Sequence, residues 1–101
     1  MAVESIDDEN GVRLIRFSGQ SATQSFSREF LPQIAKAIDA GLAHPNVRAM
    51  VLTGEGKFFS AGAGIRAFAQ SIEAGEAPQF IRDLTGILHP LLVRMRQSPT
   101  I

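Results

Sequence analysis

Apolar residues recur along this chain with two different periods, and the change from one to the other outlines its elements. Residues 2–7 alternate weakly and run into Asp8-Glu9-Asn10-Gly11, after which comes Val12-Arg13-Leu14-Ile15-Arg16-Phe17. A period of two marks a strand, and Asn-Gly between two such runs is a strong hairpin signal. Val12 and Leu14 share one face of the second strand, with Arg13 on the other. Ser18-Gly19-Gln20-Ser21 reads as a loop. The period then lengthens. Phe26, Phe30, Ile34, Ala37 and Ile38 fall near helical spacing, with Ser25 placed to N-cap the helix and Gly41 to stop it. Pro32 lies inside this pattern, where a first-turn position or a kink accommodates it. The mostly apolar run 47–53 predicts a strand buried on both faces.

After Thr53 the chain becomes glycine-rich, as Gly54-Glu55-Gly56-Lys57-Phe58-Phe59-Ser60-Ala61-Gly62-Ala63-Gly64-Ile65. A short helix is expected from Arg66 to Glu73, broken by Ala74-Gly75-Glu76-Ala77-Pro78. The longest helical signal runs from Pro78 to about Gln97. Phe80, Leu84, Ile87, Leu88, Leu91, Leu92 and Met95 form its apolar stripe, while Arg82, Asp83, Arg94 and Arg96 lie largely off it. Pro90 predicts a kink, and Pro99 predicts an extended Ser98 and the end of the helix. The order is strand, strand, helix, strand, glycine-rich loop, helix, which is an α/β pattern. There is no internal repeat and no low-complexity tract.

Composition removes several function classes. With 101 residues the chain is one small domain or a piece of a larger one. Charged residues make up 20% and balance to zero, so nothing draws it to nucleic acid or an anionic membrane. There is no cysteine, hence no disulfide framework and no thiolate metal site. Two histidines far apart in sequence make no metal site. The first residues lack the basic-then-apolar order of a signal peptide, and no segment has the apolar length of a membrane span. A soluble, cytosolic (cytoplasmic) protein is expected.

Three readings of the glycine-rich segment compete. In the first, it is a strand-to-helix connection whose glycines serve backbone geometry alone. In the second it binds a nucleotide, because Gly62-Ala63-Gly64-Ile65-Arg66-Ala67 fits G-x-G-x-x-(G/A) and Asp83 lies downstream. That fingerprint needs the strand to run straight into its first glycine, whereas eight residues separate Thr53 from Gly62. Asp83 also falls in a helix rather than at a strand end, and Gly56-Lys57 lacks the spacing and the hydroxyl residue of a P-loop. The third reading uses the backbone itself. Peptide N–H donors reaching an oxyanion at about 2.7–3.1 Å stabilise it as charge develops, and bulky side chains would block that approach. Ser60-Ala61-Gly62-Ala63-Gly64 has none.

The third reading meets a family resemblance. Gly54-x-Gly56-x-x-Phe59-Ser60-Ala61-Gly62-Ala63-x-Ile65, placed after a strand, resembles the first active-site segment of the crotonase superfamily, the enoyl-CoA hydratases and isomerases. The N-terminal hairpin, the helix, Pro45-Asn46-Val47-Arg48-Ala49-Met50-Val51-Leu52-Thr53-Gly54 and the closing Ser98-Pro99-Thr100-Ile101 are similar to the same family. The resemblance covers essentially the whole chain but only the N-terminal part of a family member. It implies the N-terminal part of a crotonase-like spiral of ββα units, with residues 1–101 forming the half that carries the CoA groove and the first oxyanion donor. The N–H of Ala63 would be that donor. Ser60, Ala61, Gly62 and Gly64 would line the CoA groove, with Ala61 and its neighbours facing the adenine. Ile65 and Phe68 would belong to the acyl pocket.

The implied substrate is an acyl-CoA thioester, handled through its enolate. Hydration of a trans-2-enoyl-CoA is the first expectation and isomerisation the alternative. A further alternative is a non-catalytic fragment or split subunit. No cofactor is expected beyond the coenzyme A carried by the substrate, and no metal. The family's trimers and hexamers imply a homo-oligomer, or a complementing C-terminal half. The second donor and the acid/base pair would lie beyond Ile101, so residues 1–101 alone would show little or no turnover. The pattern departs from the family at Gly64, where an Asp is usual. It departs again at Ser18-Gly19-Gln20, in place of Asn-Arg-Pro, and at Gln24, in place of a later Asn. Among other residues, His44 reads as a loop or helix-end residue and His89 as a structural residue of the long helix. Glu73, Glu76, Arg94 and Arg96 read as solvated. Lys57 is an exposed loop cation or a contact for a CoA phosphate.

Overall fold

The computed structural model describes residues 2–18 and 25–101. A hairpin of β1 (Ala2–Asp7) and β2 (Val12–Ser18) leads to α1 (Leu31–Ala43) and β3 (Ala49–Gly54); α2 (Ile65–Glu73) and α3 (Ala77–Gln97) follow. The sheet order is β1-β2-β3, antiparallel within the hairpin and parallel between β2 and β3. This is the predicted order. The loop reading at Gly19, Gln20 and Ser21 and the departure at Gln24 lie outside the described residues; Ser18 ends β2.

The hairpin closes as its sequence suggests. Asp8 Oδ1 accepts the N–H groups of Asn10 at 2.8 Å and Val12 at 2.9 Å. Asp7 and Arg13 sit opposite each other in register, and the guanidinium donates two bonds, of 2.6 and 2.8 Å, to the carboxylate. That fork holds the Asp7 carboxyl below the ordinary aspartate value. Val12 and Leu14 do lie opposite Arg13. The core, however, takes the face of Arg13, with Ile15 and Phe17 fully buried and Arg13 at the rim. Register carries Met50 and Leu52 of β3 onto the same face.

Among the described residues, helices cover only that face. α1 packs on β1, β2 and α3. On the other face Ile6, Leu14 and Val51 form a cross-strand row, with Val51 47% exposed. The expectation that the third strand is buried on both faces is therefore corrected: among the described residues nothing covers its second side.

α1 also differs from its prediction. It begins at Leu31, not Ser25, because a turn over residues 28–30 precedes it. The Ser27 carbonyl accepts the Leu31 N–H at 2.8 Å and Ser27 Oγ accepts the Phe30 N–H at 3.1 Å. Pro32 falls in the first turn, where its missing N–H has no intrahelical partner to lose. Phe26 and Phe30 still reach the core, from non-helical backbone. Gly41 is not the stop. It is buried inside the helix, where an added Cβ would collide with Met50 Sδ, so glycine here serves the close approach of α1 to β3.

α3 runs unbroken through Pro90. Phe80, Leu84 and Leu91 are buried, Ile87 and Met95 pack at the core's edge, and Leu92 turns away, 48% exposed. Arg94 is not merely solvated, since it donates to both Asp39 carboxylate oxygens, at 2.8 and 2.9 Å, and ties α3 to α1. Ser98 is extended, as Pro99 requires. Beyond it, Ile101 pairs with the open edge of β3 in parallel: its N–H donates to Arg48 O at 3.0 Å, and its carbonyl accepts the Met50 N–H at 2.7 Å.

Candidate functional site

The glycine-rich connection between β3 and α2 is held from three sides. The Phe59 ring packs edge-on against Phe17 and Phe26, with centroids 5.1 and 6.1 Å away. The carbonyl of Gly62 accepts the Phe26 N–H at 2.6 Å, and Ser60 Oγ accepts the Gly62 N–H at 3.1 Å. The Ala63 side chain rests on a second apolar cluster formed by Leu31, Phe80 and Leu84. Gly62 and Gly64 take φ of +98° and +90°, a region that side-chain-bearing residues rarely adopt.

Backbone donors are left over. Among the described residues the Ala63 N–H makes no hydrogen bond. Gly64 is the N-cap of α2 and supplies no side-chain cap, and the first turn holds no acidic residue. The first N–H groups of a helix have no intrahelical acceptor and carry partial positive charge. No Asp or Glu occurs between Glu55 and Glu73, so no carboxylate of this segment competes for them. A group that develops negative charge would find donors here and no local acid.

The predicted site residues fall into two sets. Ser60, Ala61, Gly62, Ala63 and Gly64 lie together in the loop; Ala61 and Gly62 are exposed, and Ser60, Ala63 and Gly64 half-buried. Ile65 and Phe68 lie on α2. Ile65 is 85% exposed, and Phe68 keeps its ring 5.9 Å from that of Phe80. Ile72, 55% exposed, continues the same helical stripe and was not foreseen; its spacing of seven from Ile65 was the available signal. Lys57, Glu73, Glu76, His89 and Arg96 are exposed, and His44 Nδ1 accepts the Asn46 N–H at 3.1 Å.

Asp83, the acid that a dinucleotide fingerprint would need at a strand end, sits on α3 and is otherwise engaged. Gln79 Nε2 donates to it at 2.6 Å and Arg28 Nη1 at 3.0 Å. These donors, Gln79 first, hold its carboxyl below the ordinary aspartate value. Two residues that matter to the loop, Phe26 and Arg28, have no sequence signal for that contact. Both lie far from it in sequence, where periodicity carries no information. Among the described residues no three His, Cys, Asp or Glu side chains converge as metal ligands. None of their helices is long and apolar enough to cross a membrane.

The sequence model of the enoyl-CoA hydratase/isomerase family matches residues 7–93. The chain belongs to that family. A search of curated proteins finds no match. Among solved structures, an enoyl-CoA hydratase from Bacillus halodurans superposes with a TM-score of 0.82 at 16% identity, over 98% of this chain and 39% of that one. An enoyl-CoA hydratase/isomerase family protein from Silicibacter pomeroyi gives 0.77 at 20% identity, over 98% and 40%. Human enoyl-coenzyme A hydratase domain-containing protein 3 gives 0.76 at 14%, over 97% and 37%. At these identities the likeness is one of fold, the crotonase fold. The chain spans about two fifths of the length of these structures.

Proposed function

We propose that this protein handles acyl-CoA thioesters, with the Ala63 N–H as one of two donors to the thioester oxygen as it takes on enolate charge. The observation that carries the reading is the unpaired Ala63 N–H between two positive-φ glycines, on a peptide pinned at its other end by Phe26. The loop backbone over Ser60, Ala61, Gly62 and Gly64 faces the coenzyme A portion. Ile65 and Phe68 present apolar surface to the acyl chain. The favoured reaction is hydration of a trans-2-enoyl-CoA, in which hydroxide adds at C3 and a proton at C2; isomerisation, which moves a proton between C2 and C4, is the alternative. No cofactor is needed beyond the coenzyme A of the substrate. The second donor and the groups that move protons are assigned to none of these residues, so a polypeptide of residues 1–101 by itself is expected to turn over little or no substrate.

Titration with an acyl-CoA, free coenzyme A and ADP separates this from a nucleotide-binding role. Acyl-CoA should bind more tightly than either of the others. Equal binding of ADP and acyl-CoA would overturn the reading.

One observation favours a second reading, in which residues 1–101 act with a complementing segment or further copies. Among the described residues the outward edge of β3 is paired only at its start, where Ile101 bonds to Met50 and to the preceding Arg48. Beside it lies a cavity of about 480 Å³ whose lining joins the apolar Leu42, Met50, Leu52 and Met95 to the more polar segment 96–101; a further parallel strand at this edge would cover the apolar side chains.

A further inference from the structure

We propose that Arg28 is a positioning residue for the Ala63 donor, acting through the Phe26–Gly62 hydrogen bond. The inference rests on the reading of Ala63 N–H as the group that meets the thioester oxygen. The Gly62 carbonyl and the Ala63 N–H belong to one peptide unit. That unit is planar and trans, so the two groups point in opposite directions. A bond from Phe26 N–H to Gly62 O, 2.6 Å long, therefore sets the direction in which the Ala63 N–H points. It also polarises the unit, which strengthens the N–H as a donor. Rotation of this unit turns on Gly62 ψ and Ala63 φ, and Gly62, at φ +98°, resists it less than a residue with a side chain would, so the bond from Phe26 supplies much of the restraint.

Phe26 itself lies in non-helical backbone between β2 and α1, outside any ladder. Two residues on, Arg28 reaches α3. Its Nη1 donates to Asp83 Oδ2 at 3.0 Å, and its Cζ lies 4.9 Å above the Phe80 ring. Gln79 holds Asp83 from the other side. Phe80 belongs to the cluster on which Ala63 sits. Arg28 thus joins the segment that aims the donor to the helix that seats it. Nearly half of its side chain is exposed, and exposed ion pairs contribute little to folding. Its effect is expected at Ala63 rather than in global stability.

The test uses isotope-labelled protein and two nuclear magnetic resonance readouts: the scalar coupling across the hydrogen bond from Phe26 N to Gly62 C′, and the Ala63 amide exchange rate. Arg28→Met removes the guanidinium and keeps the stem; Asp83→Asn removes its charge partner; Arg28→Lys keeps a cation over Phe80. In the Met and Asn variants the coupling should weaken and Ala63 exchange should accelerate, while strand couplings and the unfolding midpoint stay put. Arg28→Lys should lie between them and wild type. Affinity for an acyl-CoA thioester should fall about three- to tenfold, and that for the thioether analogue, which lacks the carbonyl, should not. Unchanged coupling and exchange in both variants would overturn the proposal, and so would an equal loss of thioester and thioether binding. If the wild-type protein shows no preference for thioester over thioether, the reading of Ala63 fails, and the coupling still decides whether Arg28 orients the peptide.

Discussion

At the scale of single residues, Gly64 holds the most information. It occupies the position after Ala63, the proposed donor, where the family pattern usually has Asp, and it sits at φ 90°, ψ 101°. An added Cβ would meet Ser25 Cβ only at an ordinary 3.7 Å. The cost of any side chain there is therefore conformational rather than steric. Gly64→Ala is expected to destabilise the protein by about 1–3 kcal/mol in urea unfolding. Gly64→Asp should recover part of that loss by capping α2, up to about 1 kcal/mol. An alanine variant as stable as the wild type would contradict this account of the loop. The run of small residues in this loop, Ser60-Ala61-Gly62-Ala63-Gly64, is plain in the sequence, and its use as a donor site is the proposal made above. The partners that aim it are not plain there. Phe26 acts through its main chain and Arg28 through a contact with Asp83, and neither leaves a local pattern.

At the scale of elements, periodicity served where one face meets a core. The hairpin, α2 and α3 came out near their predicted bounds. The start of α1 did not, because Phe26 and Phe30 continue the helical spacing while packing from a turn. The stripe of α3 makes the point testable. Leu91 is buried at 1% exposure and its neighbour Leu92 is 48% exposed. Leu91→Ala should cost about 2–5 kcal/mol in denaturant unfolding. Leu92→Ala should cost well under half as much, and equal losses would mean that the helix is rotated from the orientation described. The contact between α3 and the segment before α1 has its own signature. Asp83 titrates below the ordinary aspartate value in the folded protein, through donation by Gln79 and then Arg28. A lowered folded value means that the contribution is fully present above the ordinary aspartate pKa of about 3.9 and is lost as pH falls through the lowered value. Carbon-detected titration of the Asp83 carboxyl should show that low midpoint, and Arg28→Met should raise it. A midpoint equal to that of an unstructured aspartate would mean that Gln79 and Arg28 do not hold the carboxylate as described.

At the scale of the whole molecule, among the described residues the sheet has helices on one face and an open row of Ile6, Leu14 and Val51 on the other, with the edge of β3 paired only near Ile101. Burial on both faces could not be judged from β3 itself, because an apolar run says what a strand tolerates, not what covers it. An uncovered apolar face and an open parallel edge favour association. Residues 1–101 alone should therefore run as more than a monomer in light scattering, and a monodisperse, stable monomer would argue against that. The central claim remains the use of the Ala63 N–H on a thioester oxygen. Its most direct test is the infrared carbonyl stretch of a carbon-13-labelled acyl-CoA thioester bound to the protein. The account predicts a shift to lower frequency on binding, as the carbonyl is polarised by backbone donors. A bound thioester whose carbonyl absorbs where it does in water or above would contradict it.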